Sequence, residues 1–225
     1  MRNELAAVVC LAGLAAGNGW AEKPKILRER TEWLNIWIND ATRNDLPRVL
    51  LIGDSITAGY FPGVTDALKG KAYVARLGTS KALGDPALFD EIKMVLSQYQ
   101  FAVIHFNVGL HGWDYTESDY RKQFPLLLKV LKKSPPKAKL IWATTTPRRV
   151  GPPDFKSFHE GNDRVKERNR IAAEFTGREG IPTNNLYGLA EDHPEYMSDG
   201  VHFKREVWPL QVKQVLRYVL EALGP

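Results

Sequence analysis

Five short runs that are apolar at nearly every position constrain this chain most: 48–53 (RVLLIG), 72–78 (AYVARLG), 101–107 (FAVIHFN), 139–144 (KLIWAT) and 181–187 (IPTNNLY). A strand with one wet face alternates apolar and polar residues; a run without alternation fits a strand covered on both faces, as in a parallel sheet between layers of helix. The intervening segments carry helical spacing. Leu88, Ile92 and Val95/Leu96 lie on one face of 86–97, and Phe124, Leu127/Leu128 and Leu131 on one face of 116–131, which Thr116 and Asp119 open as a capping box. A last helix over 209–223 has Pro209 in its first turn and Val212, Val215/Leu216, Val219/Leu220 and Leu223 on one side. The expected fold class is α/β: a three-layer α/β/α sandwich of flavodoxin-like order with about five parallel strands.

The ends of the chain differ in character. Arg2, the small and apolar run 5–16, and Gly19 and Ala21 before a polar stretch follow the order of a signal peptide over 1–21, leaving 22–225 as one domain. The run is shorter than the roughly 20 apolar residues a membrane-spanning helix needs, so no stable membrane insertion is expected after cleavage. The single cysteine, Cys10, lies inside this run, and Val9 before it does not suit a lipid-anchor site. The mature chain is expected to be secreted or periplasmic and to fold without disulfides, which a core of this size does not need. A formal charge of +5 suits an acidic polymer or an envelope surface, but the basic residues are scattered. No nucleic-acid partner is expected. The one long irregular connection, 147–158, contains three prolines and Arg148-Arg149.

Gly53-Asp54-Ser55 follows the first apolar run, so Ser55 falls at the carboxyl end of a strand, where open α/β sheets place their ligands. Serine also caps helices, and on this residue alone the cap of a short helix beginning near Ile56 is the favoured reading. The balance shifts with Ser198-Asp199-Gly200-Val201-His202 just before the closing helix. Asp and His three positions apart in a turn meet side to side; the carboxylate fixes one imidazole nitrogen and leaves the other free to take a serine proton. The residues around Ser55 lack the second glycine of the G-x-S-x-G elbow, so the sharp strand–helix turn of α/β-hydrolases is not expected. Asp192, His193 and His159 match no zinc spacing, and neither metal nor cofactor is assigned.

GDSI after the first strand and DGVH before the last helix resemble the first and last sequence blocks of the SGNH/GDSL hydrolases, and the likeness spans most of the mature chain. It implies Ser55 as nucleophile, His202 as base and Asp199 as its orienting acid. Gly78 stands where the family has its second-block glycine, which implies that the backbone N–H groups of Ser55 and Gly78 belong to an oxyanion hole. The third block departs from the family's Gly-x-Asn-Asp: here Asn107-Val108-Gly109-Leu110-His111 reverses the order. Asn107 is two residues from the usual position, on the same side of an extended chain, and is expected to supply the third donor. His111 is a candidate substrate contact or substitute donor. Trp113 and Arg148 are candidate substrate contacts, although aromatic residues in such loops commonly just pack.

The reading at this level is an exported serine esterase acting on short, acetyl-sized esters of a small molecule or a carbohydrate. Two alternatives remain open: a non-catalytic glycan-binding envelope protein on the same fold, and a carbohydrate O-acetyltransferase using the same three residues.

Overall fold

Residues 48–53 are buried along their whole length because their side chains feed two cores. Val49 and Leu51 enter one apolar cluster, Leu50 and Ile52 the other, all at 0% exposure. Each such side chain contributes roughly 1.5–3 kcal/mol by leaving water. The computed structural model describes residues 26–133 and 138–224. The expected leader over 1–21 and Cys10 lie outside the described residues.

The elements in chain order are β1 (Leu34–Ile38), β2 (Arg48–Gly53), α1 (Ser55–Ala67), β3 (Tyr73–Thr79), α2 (Pro86–Gln98), β4 (Val103–Phe106), α3 (Glu117–Leu131), β5 (Lys139–Ala143), β6 (Arg149–Gly151), β7 (Asp154–Phe158), α4 (Asn162–Arg178), β8 (Thr183–Asn184), α5 (Leu186–Ala190) and α6 (Trp208–Leu223). The main sheet runs β1-β3-β2-β4-β5-β8. Its five parallel strands keep the 2-1-3-4-5 order of a flavodoxin-like sheet, and β1 adds an antiparallel edge, pairing Leu34–Ile38 with β3. One face carries α1, α5 and α6 through Tyr60, Val64, Leu186, Val215 and Val219; the other carries α2, α3 and α4 through Leu88, Ile92, Phe124, Leu127 and Ile171. The fold is thus the expected α/β/α sandwich.

Three local expectations are revised. The last apolar run, 181–187, is a strand only at Thr183–Asn184, because Asn185 caps α5 by accepting from Gly188 N–H. The connection 147–158 is a β-hairpin of β6 and β7 rather than irregular chain. It is held by Arg149, 3% exposed, whose guanidinium donates to the carbonyls of Phe155, Lys156 and Glu191. At the head of α1 the cap is Asp54, whose Oδ1 accepts from Ile56 N–H at 2.9 Å, and Ser55 is the first helical residue. The Thr116/Asp119 capping box of α3 is present as read.

Candidate active site

Ser55 is delivered by a tight reversal at the carboxyl end of β2, next to the point where the strand order switches between β2 and β4. The reversal needs glycine at 53: a Cβ there would lie 2.1 Å from Thr57 Oγ1. Asp54 is 4% exposed. Burial raises its carboxyl above the usual range, against the pull of His111, Ile56 N–H and His202. As the first residue of α1, Ser55 has a backbone N–H with no intrahelical acceptor, at the positive end of the helix dipole.

Asp199 and His202 sit at the tip of a small hairpin. Met197 and Phe203 close it as an isolated antiparallel bridge, both buried, and Ser198 N–H donates to the His202 carbonyl at 2.8 Å. Asp199 Oδ1 accepts from the N–H groups of Val201 and His202, each at 2.7 Å, which holds the turn. Its Oδ2 accepts from His202 Nδ1 at 2.9 Å, and Nε2 accepts from Ser55 Oγ at 2.8 Å; this direction follows from the carboxylate taking the Nδ1 proton. Partial burial of Asp199 opposes ionisation, but the two backbone donors and the imidazole outweigh it, so the carboxyl is held below the usual range. The hairpin is braced by the β6–β7 unit. Arg149 N–H donates to the Gly200 carbonyl at 2.8 Å, and a Cβ on Gly200 would lie 2.5 Å from the Arg149 carbonyl oxygen. Asp199 and His202 remain about half exposed, at 50% and 47%, so the site is open to water.

The other residues singled out in the sequence lie around this chain of hydrogen bonds with mixed geometry. Gly78 lies within β3. Tyr73 N–H donates toward β2 and Ser80 N–H to the Trp33 carbonyl, so strand alternation points the Gly78 N–H at the Asn35 carbonyl of β1. Asn107 is 8% exposed, and its Nδ2 donates to the Ala143 carbonyl at 2.8 Å and the Thr145 hydroxyl at 3.0 Å. Both amide protons are therefore engaged with the end of β5. An asparagine at 109 would not fit, since a Cβ there meets Thr145 Oγ1 at 2.0 Å. His111 Nδ1 is held by Glu29 Oε2 at 3.0 Å, and Glu29 Oε1 accepts from Gly112 N–H at 3.0 Å. Gly112 has φ of 76°, a backbone that disfavours a side chain. The Trp113 ring is covered by guanidinium groups, those of Arg148 and Arg168 lying 4.2 and 4.8 Å from its centroid. It packs rather than presenting a bare face.

Glu29 and Arg149 were missed in the sequence. Neither carries a local signal: Glu29 reaches His111 across 82 positions, and Arg149 acts on carbonyls of two separate segments. His193, near the site in sequence, pairs with Glu195 and stacks on Tyr196 instead of joining it. A recess at the Gly53-Asp54 turn, lined also by Thr79, Lys81, Asn107, Gly109 and His111, holds about 10 Å³, room for roughly one water-sized group. A larger cleft of about 750 Å³, against Pro47, Tyr99 and Phe101, lies at the amino ends of the strands, away from these groups.

Neither a family model nor a curated protein sequence matches the chain. Its fold does match solved structures. The carbohydrate esterase family 3 protein from Talaromyces cellulolyticus superposes with a TM-score of 0.64 at 14% identity, covering 79% of this chain and 98% of the other. The acetyl xylan esterase AlAXEase gives 0.60 at 17% identity, over 77% and 100%. The catalytic domain of Streptococcus pneumoniae peptidoglycan O-acetyltransferase A gives 0.57 at 17%, over 79% and 94%. With GDSL-like lipases and acylhydrolases among the similar structures, the chain has the SGNH/GDSL hydrolase fold. Among the described residues, no helix is long and apolar enough to cross a membrane.

Proposed function

We propose that this chain, on its SGNH/GDSL hydrolase fold, is an exported serine esterase that removes short acyl groups, acetyl above all, from a carbohydrate or similar small alcohol. The observation that carries the reading is the unbroken relay Ser55 Oγ to His202 Nε2 to Asp199, at 2.8 and 2.9 Å. Such a relay activates a hydroxyl that is otherwise a weak nucleophile near neutral pH. Ser55 attacks the ester carbonyl as His202 takes its proton; Asp199 holds the imidazole tautomer and stabilises the imidazolium. The alcohol leaves with the proton from His202, and water admitted through the open face repeats the attack to free the acid. In this reading the Ser55 N–H at the head of α1 receives the oxyanion, with the helix dipole behind it. Acetyl is the acyl group named for two of the similar structures, an acetyl xylan esterase and an O-acetyltransferase.

Gly78 and Asn107 would each have to exchange a present hydrogen bond to serve as donors. A full oxyanion-hole donor contributes about 3 kcal/mol, or 10²–10³ in kcat. Asn107→Ala is therefore expected to lower stability by roughly 1–3 kcal/mol, by orphaning groups at the β4–β5 junction, while kcat falls less than 100-fold. A larger fall in a well-folded variant would return Asn107 to the donor role, which steady-state kinetics alongside thermal melting decides.

The reading is tested by labelling. A sulfonyl fluoride or organophosphonate should add to Ser55, seen as one adduct in the peptide mass spectrum, and the adduct should vanish in His202→Ala. Labelling elsewhere, or none, would count for the glycan-binding alternative. Acetyl transfer to an added sugar in place of water would identify the transferase, the activity carried in the name of one structural neighbour. Because Asp199 is held below the usual carboxylate range, it stays ionised to lower pH than an ordinary aspartate. The acid limb of the rate profile is then expected to rise with pH as a single ionisation. A flat limb would remove His202 as the base.

A further inference from the structure

Three guanidinium groups gather on Trp113, those of Arg148, Arg168 and Arg164, at 4.2, 4.8 and 5.4 Å from the ring centroid. Two are used by the fold. Arg164 donates to Glu117 and to the carbonyls of Trp113 and Tyr115. Arg168 donates to the carbonyls of Gly109, His111 and Gly112 and also meets Glu117. One carboxylate is thus shared by two cations. Arg148 is the third, and among the described residues its guanidinium has neither a hydrogen-bond acceptor nor a carboxylate within 4.0 Å.

This is a built position, not a loose surface arginine. Arg148 N–H donates to Asn162 Oδ1 at 2.9 Å, and the next residue's N–H is bonded to Gly200. The side chain lies over Trp113 and against Gly161, where a Cβ would come within 2.6 Å of Nη1. Arg148 therefore stands at the carboxyl edge of the sheet between the His111–Trp113 loop and the Asp199–His202 hairpin, with the fork of its donors unspent. A half-buried guanidinium with unspent donors, beside two further cations and with Glu160 acting on it only from beyond ion-pair distance, is a place where an anion is favoured. A planar fork matches a carboxylate through two parallel hydrogen bonds.

We infer that Arg148 binds a carboxylate on the alcohol part of the substrate, so that the acyl group is removed from an acidic, uronic-acid-type sugar. The inference rests on the esterase reading for its chemistry. The carboxylate is assigned to the alcohol part because an acetyl group carries none.

The test compares kcat/KM for matched methyl glycosides, O-acetylated glucuronic acid against O-acetylated glucose, in the wild type, Arg148→Gln and Arg148→Lys. One charge-assisted pair corresponds to about a tenfold preference for the acidic ester, shrinking as salt is raised. The ratio should fall to near one in Arg148→Gln and survive in part in Arg148→Lys, whose retained charge separates loss of the anion contact from loss of fold. Equal rates on both glycosides in the wild type, or a preference that Arg148→Gln leaves intact, would overturn the inference. A preference for p-nitrophenyl hemisuccinate over p-nitrophenyl acetate that depends on Arg148 would overturn it too, by moving the carboxylate to the acyl side. Binding is measured separately by fluorescence titration of Ser55→Ala with glucuronate and neutral oligosaccharides. If no ester is hydrolysed, the esterase reading fails while tighter, Arg148-dependent binding of glucuronate upholds the anion site; equal binding of the two sugars overturns it.

Discussion

Ser55→Ala is expected to lower kcat on p-nitrophenyl acetate by roughly 10⁴-fold or more, leaving KM within a fewfold of wild type. The hydroxyl is the attacking group in the proposed relay, and its partner among the described residues is His202 Nε2. Its removal strips the covalent step and spares the Ser55 N–H, so a residual rate above that of water alone is expected. His202→Ala should cost about as much, and the double variant little more than either, because the pair works as a unit. The melting temperature of Ser55→Ala should barely move, since the relay is solvent-accessible, with Asp199 and His202 half exposed. Retention of activity within tenfold of wild type would sink the proposed mechanism.

The largest structural effect is expected from Arg168→Met. Arg168 is 2% exposed and donates to three carbonyls of the loop that carries His111, those of Gly109, His111 and Gly112, at 2.8 to 2.9 Å. It also pairs with Glu117 at 3.3 Å and lies over the Trp113 and Tyr120 rings. Methionine keeps most of the buried aliphatic volume and none of the donors. It leaves several acceptors and part of a carboxylate without partners in a poorly hydrated place. Breaking a buried pair of this kind costs about 3–5 kcal/mol, which for a domain of this size lowers Tm by roughly 10 °C. Activity should fall as well, since the loop beside the nucleophile loses its clamp. Calorimetry on the purified variant checks the first part, and a Tm shift under about 2 °C would show that the network contributes little.

These two residues mark the division between what was legible in the chain and what was not. The place of Ser55 was legible because its signal is local, an apolar run followed by a tight Gly-Asp turn and a helix start, whereas its candidacy as nucleophile came only with the Asp199/His202 segment and the family likeness. Asp199 and His202 were legible for the same reason, since a separation of three is a short-range geometric fact that a single turn realises. Arg168 had no such mark; within its helix it is one more basic residue, and its three carbonyl partners lie 56 to 59 positions away.

The sequence by itself determined the parallel five-strand frame, the helices with a clear apolar face, the capping box of α3 and the contact of Asp199 with His202, because these follow from periodicity and from contacts within one turn. Only the tertiary structure decided that Leu34–Ile38 joins as an antiparallel edge, which directs the Gly78 N–H to a strand partner. It alone decided that Glu29 holds His111, that residues 149–158 form a hairpin bracing Gly200, and that Asn107 ties β4 to β5. The physical reason is common to all four. A periodic pattern states which face of an element is buried, whereas the choice of a polar group's partner depends on register and on segments that meet only after the core has closed.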